Sequence, residues 1–118
     1  MQHPVTWFEV MGKDGVRLQR FYSELFAWKI DAANPMKYGM VDTGSKEGIP
    51  GGVGETDASE SPRVTFYVHA SDPGAVLDRA QRLGGKTVMP VTVLPGGTTI
   101  ALFSDPEGNV VGLAKEES

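Results

Sequence analysis

Apolar and polar residues alternate over residues 4–11 (PVTWFEVM), with Thr6, Phe8 and Val10 on one side and Val5, Trp7, Glu9 and Met11 on the other. That period of two predicts a β-strand. Lys13-Asp14-Gly15 ends it, and Asp14 is placed to cap a helix. The period then lengthens: Leu18, Phe21, Tyr22 and Leu25 recur at helical spacing and give the helix one apolar face. Residues 28–31 and 38–42 read as short strands joined by a loop containing Asn34-Pro35. The glycine-rich GIPGGVG (48–54) predicts a short, irregular strand, and the polar, aperiodic residues 56–62 an exposed linker.

The scheme then starts again. In residues 63–69, Val64, Phe66 and Val68 alternate with Arg63, Thr65, Tyr67 and His69. Asp72-Pro73 supplies a cap and a proline at the first helical position. Val76, Leu77, Ala80 and Leu83 form the apolar stripe, and Gly84-Gly85 stops the helix. Residues 86–91 form a strand that Pro90 confines to a sheet edge. Asp105-Pro106-Glu107-Gly108 places each residue where a type I turn prefers it, between β-rich residues 98–103 and 110–114, so a hairpin follows. Gly108 and Asn109 suit the positive φ that completes such a loop. Asp14 and Asp72 lie 58 residues apart, and the same offset sets Trp7 on Thr65, Val10 on Val68 and Leu25 on Leu83. Strand, helix and three strands thus occur twice.

Composition narrows the options. At 118 residues the chain is sized for one domain. Its net charge of −4 gives no general attraction to nucleic acid or an anionic membrane. No apolar run reaches the roughly 18 residues of a spanning helix, and the first residues lack the basic and apolar regions of a signal peptide. Cysteine is absent, which removes disulfides, thiolate metal sites and a cysteine nucleophile and fits a cytoplasmic location.

FYSELFAW (21–28), RAQRLGGK (79–86) and FSDPEGNVVGL (103–113) are similar, in order and spacing, to the vicinal oxygen chelate superfamily. That group includes glyoxalase I, extradiol dioxygenases, fosfomycin-resistance enzymes and bleomycin-resistance proteins, and this chain most resembles its glyoxalase-related branch. The likeness spans residues 5–115 and implies an α+β protein: one domain over 1–118, with two βαβββ modules, about 4–55 and 63–115. Their mixed sheets would curl around a cleft, usually in a homodimer. It also implies where a divalent metal would be held: at Trp7 and Thr65 on the first strands, at Gly112 (normally Glu) on the last, and within residues 51–54, nearest Gly54. Indole, a hydroxyl and bare backbone make a poor ligand set. A substitute set from Glu9, Glu55 and His69, with His3 expected to be flexible, has too few donors. No metal or other cofactor is expected.

If the helices cover the Phe8/Val10 and Val64/Phe66/Val68 faces, the cleft is lined by Trp7, Glu9, Arg63, Thr65 and Tyr67. Glu9 is the candidate acid–base group or ligand acceptor; its alternative role is a structural pair with Arg63. Trp7 and Tyr67 form an aromatic wall for a ligand, or Trp7 merely fills the volume that metal and substrate occupy in relatives. The expected function is metal-free binding of a small apolar or aromatic molecule, as the bleomycin-resistance proteins illustrate. The alternatives are a glyoxalase- or dioxygenase-related lyase or oxidoreductase, using an atypical metal site or Glu9, and a non-catalytic interaction module. GIPGGVG lacks the spacing and the lysine of a phosphate loop. Asp105 and Glu107 are accounted for by their turn, and residues 115–118 by a charged tail.

Overall fold

The computed structural model describes residues 2–115; three residues of the charged tail, 116–118, lie outside the described residues. Eight strands and two helices follow in the order β1 (Val5–Gly12), α1 (Gly15–Phe26), β2 (Lys29–Asp31), β3 (Gly39–Asp42), β4 (Gly51–Glu55), β5 (Arg63–His69), α2 (Pro73–Arg82), β6 (Lys86–Val93), β7 (Thr99–Ser104) and β8 (Val110–Lys115). The α+β class and the repeated strand–helix–three-strand order are therefore as expected. Residues Trp7–Thr65 form one compact unit and the other described residues a second.

In the first unit the strands lie in the order β2-β3-β4-β1. β4 runs parallel to β1, while β3 is antiparallel to both β2 and β4. The glycine-rich stretch holds the short strand expected, from Gly51 onward and in unbroken register with β1, and Gly51 to Gly54 are all buried. Asp14 accepts a hydrogen bond from the Arg17 amide (3.1 Å) and starts α1. Just after α1, Trp28 meets the ring of Phe8 on β1 and those of Tyr22 and Phe26 on the helix, at centroid distances of 5.7, 6.0 and 5.0 Å. The supposed linker is tied down. Thr56 is buried with its amide on Gly12 O (2.9 Å), and Lys13 donates to the carbonyls of Ala58 and Glu60.

In the second unit the order is β5-β8-β7-β6, with β8 parallel to β5 and the remaining pairs antiparallel. β6 is the edge strand that Pro90 predicts, and its register slips on either side of Met89. Asp72 caps α2 through the Ala75 amide (3.1 Å). The helix buries Leu77 against Ala70, Ala101 and Leu113, with Val68, Val76 and Phe103 packed around them. The β7–β8 turn closes through Gly108 N to Asp105 O (2.9 Å), with Gly108 at φ +90°.

One expectation about the faces of β5 fails. Val64 is 75% exposed and Phe66 is also exposed, whereas Thr65 and Tyr67 are buried. α2 packs on β6, β7 and β8 and shelters only the far end of β5, where Val68 joins its core. His3 is held rather than loose: its Nδ1 lies 2.9 Å from the carbonyl of His69.

Candidate functional site

The register of the parallel strand pairs fixes which residues face one another. Glu9 on β1 lies opposite Gly52 on β4, and Tyr67 on β5 lies opposite Gly112 on β8. Glu9 and Tyr67 are 58 residues apart, but Gly52 and Gly112 are 60 apart. The first-module counterpart of Gly112 is therefore Gly52, not Gly54. The constant offset misplaces it because the second module gains two residues before its last strand.

Both glycines sit under a tyrosine. A Cβ built on Gly112 would lie 2.4 Å from the ring of Tyr67, and one on Gly52 would lie 2.0 Å from the ring of Tyr38. Carbon atoms do not approach so closely, so neither glycine can be exchanged for a larger residue while its ring stays. The two rings reach their glycines by different routes. Tyr67 comes from the neighbouring strand, whereas Tyr38 comes from the loop just before β3. Asn34 locks that loop, its side chain accepting from the Tyr38 amide (2.9 Å) and donating to the Tyr38 carbonyl (2.7 Å).

The Tyr38 hydroxyl organises the polar groups of the first unit. It accepts from the indole Nε1 of Trp7 (2.9 Å) and donates to Glu9 Oε2 (3.0 Å). Arg63 Nη2 stands 3.4 Å from the other Glu9 oxygen, and Arg63 Nη1 pairs with Glu60 at 2.8 Å. Glu9 is only 7% exposed, a placement that is costly for an acidic side chain unless charge and hydrogen bonds compensate, as Arg63 and Tyr38 do here. The Thr65 side chain shares the Arg63 face of β5 and is 3% exposed. Its hydroxyl has no hydrogen-bond partner among the described residues.

The five residues expected to line a site thus divide. Trp7, Glu9 and Arg63 join one hydrogen-bonded chain, Thr65 contributes an unsatisfied hydroxyl on the Arg63 face, and Tyr67 belongs to the other unit, covering Gly112. Sequence reasoning missed Tyr38, Asn34 and Glu60. The glycines of GIPGGVG signal that something approaches this strand closely, but not that Tyr38 is what does so.

The positions at which the resemblance implies a divalent metal, Trp7, Thr65, Gly112 and, by register, Gly52, carry no carboxylate or imidazole. Indole and hydroxyl occupy two of them, and the two glycines lie beneath rings. Glu55 cannot join Glu9, because its carboxylate accepts from the Gly15 amide (3.0 Å) at the start of α1. Among the described residues no three His, Asp, Glu or Cys side chains cluster to hold an ion.

Comparisons with known proteins agree with the architecture. A Mycobacterium bovis protein named "Putative glyoxylase CFP32" is 26% identical over 126 aligned positions, covering 92% of this chain. The chain spans only 44% of that relative's length. A glyoxalase/bleomycin resistance protein/dioxygenase superfamily member from Vibrio splendidus superposes with a TM-score of 0.64 at 11% identity, covering 98% of this chain and all of the other. Methylmalonyl-CoA epimerase from Mycobacterium tuberculosis gives 0.66 at 11% identity, covering 97% and 88%. At such identities the two structures speak for the fold alone. The profile of the glyoxalase-like domain matches residues 8–114, and the chain belongs to that family.

Proposed function

We propose that this chain binds a small, largely apolar or aromatic molecule without a protein-bound metal, on the face of the first unit that carries Trp7, Tyr38, Glu9, Arg63 and Thr65. The observation that carries this reading is the buried, unpartnered hydroxyl of Thr65. Such a group costs about 1–3 kcal/mol until something bonds to it. A ligand with an aromatic body and a carbonyl or hydroxyl would satisfy Thr65 and lay its apolar part against the rings of Trp7 and Tyr38. In this reading Glu9 is a fixed acceptor that orients Tyr38 and Arg63.

The test is a thermal-shift and calorimetric screen of mono- and bicyclic aromatic carbonyl and hydroxyl compounds against the wild type, Trp7→Ala and Thr65→Val. The expected result is a ligand whose affinity falls about tenfold in Thr65→Val, the loss of one hydrogen bond. Ligands that bind all three proteins equally would overturn the reading, and one equivalent of tightly held transition metal in the purified protein would overturn its metal-free part.

A second reading is favoured by the Tyr38–Glu9 hydrogen bond, which gives a buried carboxylate a proton-bearing neighbour. In that case the protein is a lyase or oxidoreductase of glyoxalase-related type, with Glu9 as acid–base group. Turnover lost in Glu9→Gln while ligand affinity is kept would select it; an inert interaction module would show neither binding nor turnover. Both readings include a homodimer, which the exposed Phe21, Leu25 and Phe26 of α1 favour as apolar contact surface. A cytoplasmic location remains part of the proposal; among the described residues no helix is long and apolar enough to cross a membrane.

A further inference from the structure

We infer a separate binding groove in the second unit, along α2, for an amphiphilic monocarboxylate with an aromatic or short acyl body. The groove runs between the helix and the end of β7 and holds about 600 Å³, within the range of small-molecule sites. Its apolar lining comes from Val76, Ala80 and Leu83 on one stripe of α2, facing Phe103 and Pro106. Leu83 is 67% exposed, so this stripe extends beyond the core that Leu77 completes.

The charged groups at the groove are His3, Asp72, Arg79 and Asp105. Both acids are engaged locally. Asp72 caps α2 through the Ala75 amide, and Asp105 accepts from the Glu107 and Asn109 amides and from the Asn109 side chain, each at 2.9 Å. The Nδ1 of His3 is engaged by the His69 carbonyl. The guanidinium of Arg79, by contrast, has no hydrogen-bond or ion-pair partner among the described residues. A free guanidinium beside an apolar channel matches a carboxylate in a bidentate arrangement. Asp72 and Asp105 oppose any anion, so the attraction rests on Arg79 alone, and a phosphate monoester or a dicarboxylate, with more negative charge, is disfavoured further than a monocarboxylate.

The experiment is a backbone amide NMR titration of the full chain with sodium octanoate, with octan-1-ol as the uncharged control. Shifts confined to residues 75–85 and 103–106, and about a tenfold weaker affinity in Arg79→Gln for octanoate but not for octanol, are the expected result. Leu83→Asp should weaken both ligands. Absence of shifts at about 5 mM octanoate, shifts elsewhere in the chain, or equal octanoate affinity in Arg79→Gln would overturn the assignment. So would a dimer that Leu83→Asp splits and that octanoate does not perturb, because the groove would then be a contact between copies. Arg79 and Leu83 lie outside the Trp7 and Thr65 site, so failure here and failure of the aromatic screen are separate results.

Discussion

The two modules solve one packing problem in different ways. In the second, the ring over Gly112 is carried by the adjacent strand and lies directly opposite it in register, in a unit whose helix packs on aliphatic side chains. In the first, the ring over Gly52 is carried by a loop, and its hydroxyl is wired to Trp7 and Glu9. The backbone under Tyr67 is held by the ladder of its strand, whereas the loop under Tyr38 is held by the Asn34 side chain. The chain path is the same in both modules, while the polar network of Trp7, Tyr38, Glu9, Arg63 and Glu60 lies within the compact unit of residues Trp7–Thr65 and draws Arg63 from β5.

That contrast makes ordered predictions. Gly112→Ala sets a methyl against Tyr67 and should destabilise the protein by about 3 kcal/mol, read from urea denaturation. Gly52→Ala should cost less, about 1.5 kcal/mol, because the loop bearing Tyr38 can shift by giving up side-chain hydrogen bonds where β5 would have to give up its ladder. Equal losses would show that the loop is as rigid as the strand. Tyr38→Phe keeps the ring but deprives Trp7 and Glu9 of the hydroxyl. It should cost about 1 kcal/mol and alter Trp7 fluorescence, with Trp28→Phe as background to isolate that signal. An unchanged spectrum would break the proposed wiring.

The caps test the symmetric part of the comparison. Asp14→Ala and Asp72→Ala should each lose about 1 kcal/mol, since both carboxylates accept an amide from the first turn of their helix. The smallest effect is expected at Asp105, whose carboxyl is held below the ordinary aspartate range by the Asn109 side chain and then by backbone amides of its own turn. A depressed value in the folded state means that its contribution is complete above the unfolded value and fades as pH falls through the folded one. Amide exchange in the β7–β8 hairpin should therefore quicken below the ordinary aspartate range, and Asn109→Ala should move that onset to higher pH.

Much of this architecture was legible in the chain. The alternation in β1 and β5, the caps at Asp14 and Asp72 and the turn at Asp105 are local signals, and each produced the element it announced. What was hidden depended on contacts between distant residues. Nothing local reveals that Tyr38 crosses to Gly52, or that Glu55 turns away to cap α1. The exposure of Val64 and Phe66 was hidden as well, because alternation identifies two faces of a strand without saying which one a ten-residue helix reaches. The fixed offset failed at the last strands for a similar reason: strand pairing, not counting, decides which glycine stands opposite Glu9.

The interlocked glycines and rings also constrain what this sequence can become. A carboxylate introduced at position 112 alone would strike Tyr67, and one at position 52 alone would strike Tyr38. A variant with a carboxylate at either place would have to lose the facing ring and tolerate the void left behind. The ring and the glycine beneath it therefore change together, and either change made alone costs stability.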